Sequence, residues 1–179
     1  MKHTKQPRVQ KTNAMRELDT KGVSYTVQTY DAHNEDTSTG VGVRIAQSLG
    51  NEVDASFKTL VTTHGGSSYV VCCIPVNAEL DLKKAAKVSQ EKSLSMVHVK
   101  DLEALTGYIR GGCSPIGMKK EFFTIIDETA LLFDFITISG GKRGITLKLS
   151  PRDLQTHFQF HFEDICHDAL KAQATADAF

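Results

Sequence analysis

The 179-residue sequence has no tryptophan, only four prolines and four cysteines, and no excess of either charge, with 21 Lys plus Arg against 21 Asp plus Glu. Each shortage excludes something. A formal net charge of zero argues against a strongly basic, self-sufficient nucleic-acid binder, because counterion release needs many phosphate contacts. Any RNA role must rest on a local patch or on help from a partner. No apolar run approaches the ~20 residues that span a bilayer. Met1–Thr12 carries four Lys or Arg with no apolar stretch behind them, which is not a secretory signal. The expectation is a cytoplasmic protein with no membrane partner. Cys72, Cys73, Cys113 and Cys166 do not make a disulfide framework: they are few, and Cys72 and Cys73 are adjacent in an apolar strand whose successive side chains face opposite ways. They match no zinc spacing, so no metal and no cofactor are expected.

What is present is ordinary globular composition, 40% apolar and 23% charged, enough for one domain with one sizeable core. Residues 1–12 read as a loose basic extension. Asn13 can cap a helix that runs through Met15 and Leu18 to Gly22. Val23–Tyr30 is rich in β-formers. Val41, Ile45 and Leu49 have helical spacing before Gly50. Phe57–Thr63 and Ser68–Val76 flank His64-Gly-Gly-Ser67 as a hairpin, and Pro75 marks a strand that leaves its sheet or lies at an edge. Asp81–Lys87 and Asp101–Leu105 read as helices, and Phe122–Ile126 as a buried strand. Phe133–Ser139 and Gly144–Leu149 form a second hairpin, and Ser150-Pro151 opens a C-terminal helix. Strands and helices without strict alternation predict a single-domain α+β fold, with a mixed, mostly antiparallel sheet or barrel-like core and surrounding helices.

The most unusual segment is Thr106–Lys120, with four glycines and a proline. Gly111, Gly112, Cys113, Ser114 and Pro115 form its centre. Such a density suits a loop that brings backbone N–H groups to a carbonyl or developing oxyanion; an elaborate surface turn is the alternative. Lys58 stands in an otherwise apolar strand start. It is either a solvated strand lysine or a cation projecting from a rigid element into a cleft. Ser139-Gly-Gly-Lys-Arg-Gly144 is a basic turn without the spacing of a phosphate-cradling loop; it reads as a solvated tip or an RNA-backbone contact, to which Lys119 and Lys120 add weakly. His157 and His161, four residues apart, could share a helical face, but with no third ligand in view packing is the better reading. Cys113 is a conceivable nucleophile with no base beside it.

Phe57-Lys-Thr-Leu, Leu80-Asp-Leu-Lys-Lys-Ala-Ala-Lys87, Thr106-Gly-Tyr-x-x-Gly-Gly-x-Ser-Pro-x-Gly-x-Lys-Lys120, Thr124-Ile-Ile-Asp127 and Ser139–Gly144, in that order, resemble the YbaK/EbsC family. Its members are free-standing relatives of the editing domain inserted in bacterial prolyl-tRNA synthetases. The likeness runs from about Asn13 to Asp168, which would make 13–168 the editing domain and 169–179 a tail. The resemblance implies deacylation of mischarged tRNA, chiefly cysteine on tRNA(Pro) and conceivably on tRNA(Cys), with alanine as the preference of a sister branch. It implies a substrate thiol that attacks its own ester, with Lys58, Tyr30 and the Gly111–Pro115 loop as functional positions and prolyl-tRNA synthetase as a partner. The implied donors are N–H groups near Gly112–Ser114; Tyr30, Lys58, Ser139, Gly140, Gly141, Lys142 and Arg143 would contact substrate. Some relatives carry Asp where Thr146 stands here. A non-catalytic tRNA- or nucleotide-binding module and a Cys113 hydrolase are the competing readings.

Overall fold

The computed structural model describes residues 8–33 and 39–168. The expected loose extension and tail therefore lie largely outside the described residues. Within residues 8–12, Lys11 pairs with Asp19, and Thr12 Oγ1 donates to the Gly140 carbonyl (2.6 Å).

Helix α1 spans Asn13–Lys21. Its cap is Thr12 rather than the expected Asn13: the Thr12 hydroxyl accepts from Met15 N, and Asn13 Oδ1 instead accepts from the Arg16 guanidinium. Gly22 closes the helix at φ 70°, the left-handed conformation that glycine adopts without a Cβ penalty. Ala14, Met15 and Leu18 are buried, the i, i+1, i+4 stripe of a helix with one core face. Strand β1 (Tyr25–Thr29) follows, then α2 (Val41–Ser48), and the hairpin of β2 (Phe57–Gly65) and β3 (Ser68–Pro75). Asp81 caps α3 (Leu82–Val88) by accepting from Lys83 N and Lys84 N. The short β4 (Ser95–Met96), α4 (Val99–Thr106), β5 (Phe123–Asp127) and a 3-10 turn (Glu128–Leu132) lead into β6 (Ile136–Ser139) and β7 (Ile145–Leu149). Ser150 accepts from Asp153 N and Pro151 starts α5 (Pro151–His157), as the Ser-Pro pair predicts. Strand β8 (His161–Glu163) ends the described elements.

Two sheets form, one in the order β1-β7-β6 and one in the order β4-β2-β3-β5-β8. Pairing is antiparallel except for β3 with β5 and β5 with β8. The fold is thus α+β with a mixed, mostly antiparallel framework. The barrel-like expectation meets a sheet pair joined along one seam and not closed: Ser56 bridges Thr137, Thr137 N donates to Ala55 O (2.9 Å), and the two hydroxyls bond at 3.0 Å. Pro75 ends an interior strand, so it marks departure rather than an edge.

One core cluster lies between α1, α5 and the faces of both sheets, around Leu18, Ile126, Ile138, Leu147 and Leu154. A second packs α3 on the other face of β3 and β5. Asp127 ties β8 in place: its buried carboxylate accepts from Thr129 N, Thr129 Oγ1 and Ile165 N. The two histidines do not share a helix face. α5 stops at His157, because Phe158 turns extended and its ring, with Phe160, packs against the first cluster; His161 belongs to β8.

Candidate active site

A cavity of about 400 Å³ opens between α2, the start of β2, the β6–β7 hairpin and the 110–113 loop. That is within the usual size range for small-ligand sites. Its walls bring together six of the sequence-designated residues: Tyr30, Lys58, Gly111, Cys113, Ser139 and Arg143.

Lys58 is held by β2, opposite Ile74 on β3. It is half-buried rather than solvated, and burial lowers its pKa from the ordinary lysine value, with Cys166 and Glu79 pulling the other way. Its ammonium donates to the Val76 carbonyl at 3.4 Å, a long bond that a substrate oxygen can replace. Val76 in turn meets α2: a Cβ on Gly42 would lie 2.8 Å from Val76 Cγ1. That glycine lets the helix close over the cavity on the lysine's side.

The 110–115 segment is a built loop and not a surface turn. Gly111 has φ 84° and is exposed, whereas Gly112 to Pro115 are buried. A Cβ on Gly112 would sit 2.9 Å from Arg143 N and 3.1 Å from the Lys142 backbone, so the glycine permits the two loops to touch. The donor assignment shifts with this geometry. Gly112 N is spent on Ile109 O (3.0 Å), and Ser114 is fully buried and does not line the cavity. Among the described residues the N–H groups of Gly111 and Cys113, both on the cavity wall, have no hydrogen-bond partner. Backbone donors left open in the same cavity as a cation suit a carbonyl oxygen that gains negative charge.

The remaining designated residues support the wall from behind or lie beside it. Gly140 bonds across its turn to Ile145, and Gly141, at φ 91°, abuts the Tyr108 ring. Pro115 lines a separate groove. Lys142 flanks a shallower depression that shares Tyr30 and Arg143 with the cavity. Arg143 donates to Ala32 O (3.4 Å) and Tyr30 N to Gly144 O (3.0 Å), which hold the hairpin tip against the end of β1.

Cys113 is a poor nucleophile. Burial pushes its thiol up to about 12, so almost no thiolate exists at neutral pH. Cys72 and Cys73 are buried and pushed up to about 12 for the same reason. Among the described residues no three metal-ligating side chains converge, and no helix is long and apolar enough to cross a membrane. The sequence reading missed the α2 wall (Ile45, Ala46, Leu49), the hydroxyl-bearing Ser56 and Thr137, and Asn51, whose side-chain amide exchanges two hydrogen bonds with that of Gln28 (2.8 and 3.2 Å). The spacing of Val41, Ile45 and Leu49 signalled a helix face but not what it would cover. Thr146 is buried on the cavity wall.

Residues 41–157 match the aminoacyl-tRNA editing domain. The chain belongs to this family. A curated protein of Enterococcus faecalis bearing the name Cys-tRNA(Pro)/Cys-tRNA(Cys) deacylase EbsC is 48% identical over 156 residues, covering 87% of this chain and 93% of that protein. A crystal structure described as a trans-editing enzyme for prolyl tRNA synthetase superposes with a TM-score of 0.74 at 22% identity, over 87% of this chain and 95% of that one. The crystal structure of hypothetical protein APE2540 gives 0.77 at 17% identity, over 87% and 100%. At these identities the two structures speak for the editing-domain fold alone. The cavity contains part of the matched span: Lys58, the 110–113 loop and the β6–β7 hairpin all fall within 41–157.

Proposed function

We propose that this protein is a trans-editing aminoacyl-tRNA deacylase that removes cysteine from tRNA(Pro), with Cys-tRNA(Cys) as a second substrate. The observation that carries the reading is the one cavity lined by Lys58 and by Gly111 and Cys113 with their open N–H groups. The likeness to the E. faecalis deacylase supports the choice of cysteine.

The chemistry asks little of the protein. The substrate's thiol loses its proton and its sulfur attacks the ester carbonyl carbon. A C–S bond forms, and the carbonyl oxygen takes the charge and is held by the Gly111 and Cys113 N–H groups. The C–O bond to the ribose then breaks, the ribose oxygen takes up a proton, and a cyclic thioester leaves. A free thiol of pKa about 8.5 supplies a few per cent thiolate at neutral pH, so orientation is the main requirement. Lys58 turns from Val76 to the aminoacyl group, and Tyr30 with the Ser139–Arg143 turn holds the terminal adenosine. Cysteine and proline are close in size, so a synthetase pocket separates them poorly and a second site is the physical remedy. Prolyl-tRNA synthetase is the natural partner in the cytoplasm, since docking raises the effective concentration of a chain with zero net charge.

The test is to incubate the protein with cysteinyl- and alanyl-tRNA(Pro) and cysteinyl-tRNA(Cys) and follow the esters. Cysteine is expected to be lost well above the buffer rate and alanine not. Loss of alanine alone would move the preference to the sister branch, and no loss of any ester would remove the enzyme reading.

A further inference from the structure

A second concavity lies on the other side of the 107–120 loop. Pro115, Gly117 and Lys120 form one bank, α1 with Glu17 and Lys21 another, and the segment from His157 to His161 the third. Its volume, about 710 Å³, exceeds that of the catalytic cavity, and the deacylation chemistry uses none of its residues. Two features coincide there. The first is paired flat rings: Phe123 stacks on His161 (centroids 4.2 Å, 12°) and Phe158 on Phe160 (4.9 Å, 17°). Phe123 and His161 are exposed although Phe123 is a large apolar side chain. The second is cation placement. Lys21 lies 4.8 Å over the Phe158 ring, and Lys119 and Lys120 are exposed on the facing bank. The three lysines face two carboxylates, Glu121 and Glu17, the latter accepting from Gly117 N (2.6 Å), so the balance is one positive charge. In a chain of zero net charge this is a local cationic excess over aromatic faces, the combination that takes phosphates and bases together.

We propose that this groove carries the acceptor arm of the tRNA whose 3′ end occupies the catalytic cavity. The distance fits. α1 runs from Thr12, bonded to Gly140 on the hairpin beside the cavity, to Lys21 in the groove. Its nine residues span about 13 Å at ~1.5 Å each. A stacked strand covers about 3.4 Å per nucleotide, so about four unpaired nucleotides bridge the two sites. The first phosphates of the acceptor stem then reach Lys21, Lys119 and Lys120, and a ring pair offers a face to a splayed base. The deacylase reading is needed only for the activity arm of the test.

The test uses the full chain with Lys120→Glu and, separately, His161→Ala. Binding of uncharged tRNA(Pro) is measured by fluorescence anisotropy over a salt series. Deacylation is measured on cysteinyl-tRNA(Pro) and on a cysteinyl-adenosine ester too short to reach the groove. For Lys120→Glu the salt slope is expected to fall by about one. For His161→Ala affinity is expected to drop on the order of tenfold. In both, KM for the charged tRNA rises while kcat, and all turnover of the short ester, stay at wild-type level. Unchanged tRNA binding in both variants overturns the proposal. So does equal loss on the short ester, which would make the effect one of folding or catalysis. A defect seen only when prolyl-tRNA synthetase is added would give the groove to a protein partner, which also overturns it. If the wild-type chain hydrolyses neither ester, the deacylase reading falls, and the binding series still decides the groove.

Discussion

Lys58→Met separates a functional lysine from a structural one. Methionine keeps an unbranched apolar stem on β2 and removes only the charge. The bond lost in the free protein, to Val76 O, is 3.4 Å long, beyond the usual range, and is worth less than the typical ~1 kcal/mol. The penalty removed is the partial desolvation that lowers this lysine's pKa. The fold is therefore expected to stay within about 1 kcal/mol of wild type, on the stabilising side, and a change of that size moves Tm by about 2–4 °C. Activity goes the other way. Loss of the one charge that positions the aminoacyl group against its own thiol costs on the order of 10²-fold in rate. Linkage gives an independent check. In the wild type the unfolded lysine binds its proton more tightly than the folded one, so stability rises with pH between the lowered pKa of Lys58 and its ordinary value of 10.5. In Lys58→Met that part of the slope disappears. Thermal melts across alkaline pH and single-turnover deacylation read both quantities. A variant that melts many degrees lower, or that deacylates at the wild-type rate, refutes the reasoning.

Four further outcomes follow from the same geometry. The pH–rate profile should be bell-shaped, rising with the substrate thiol near ~8.5 and falling as Lys58 deprotonates below 10.5; Lys58→Arg should lose the falling limb, because guanidinium does not titrate there. Gly112→Ala should cost about 1–3 kcal/mol and most of the activity, since its Cβ meets the Arg143 and Lys142 backbone; denaturant unfolding with a parallel rate assay checks both. Cys113→Ser should keep deacylation within a few-fold, and the native Cys113 should resist alkylation at neutral pH, as a thiol pushed up to about 12 does. Asp127→Ala should leave the Ile165 and Thr129 donors unpaired and cost about 3 kcal/mol, with proteolysis reporting release of β8.

Most of the fold was legible in the sequence because its punctuation is local. Gly22, Asp81, Gly107 and Ser150-Pro151 end or begin helices where they stand. What stayed hidden depends on contacts distant in sequence. The cap shifted from Asn13 to Thr12 because Thr12 also reaches Gly140 across 128 residues. The α5 end and β8 were masked because Phe158 and Phe160 obey a core built elsewhere, not helical spacing. At the site, Lys58 and the glycine-rich loop stood out by residue type, and they do share a cavity. The α2 wall did not stand out, since Ile45 and Leu49 look like any helix face until the structure shows the cavity they line. Which amides remain open was equally invisible: Gly112 and Ser114 looked as suitable as Gly111 and Cys113 until the Ile109 turn and the burial of Ser114 distinguished them.

Self-cleavage by the bound cysteine is tested most directly by capping its sulfur. Cysteinyl-, S-methylcysteinyl- and alanyl-tRNA(Pro), at equal concentration with the wild-type protein, isolate the thiol from side-chain size. The expected result is rapid loss of the cysteinyl ester and no loss of the other two above the buffer rate. Turnover of the S-methyl or alanyl ester at a rate near that of cysteine would mean that water is the nucleophile.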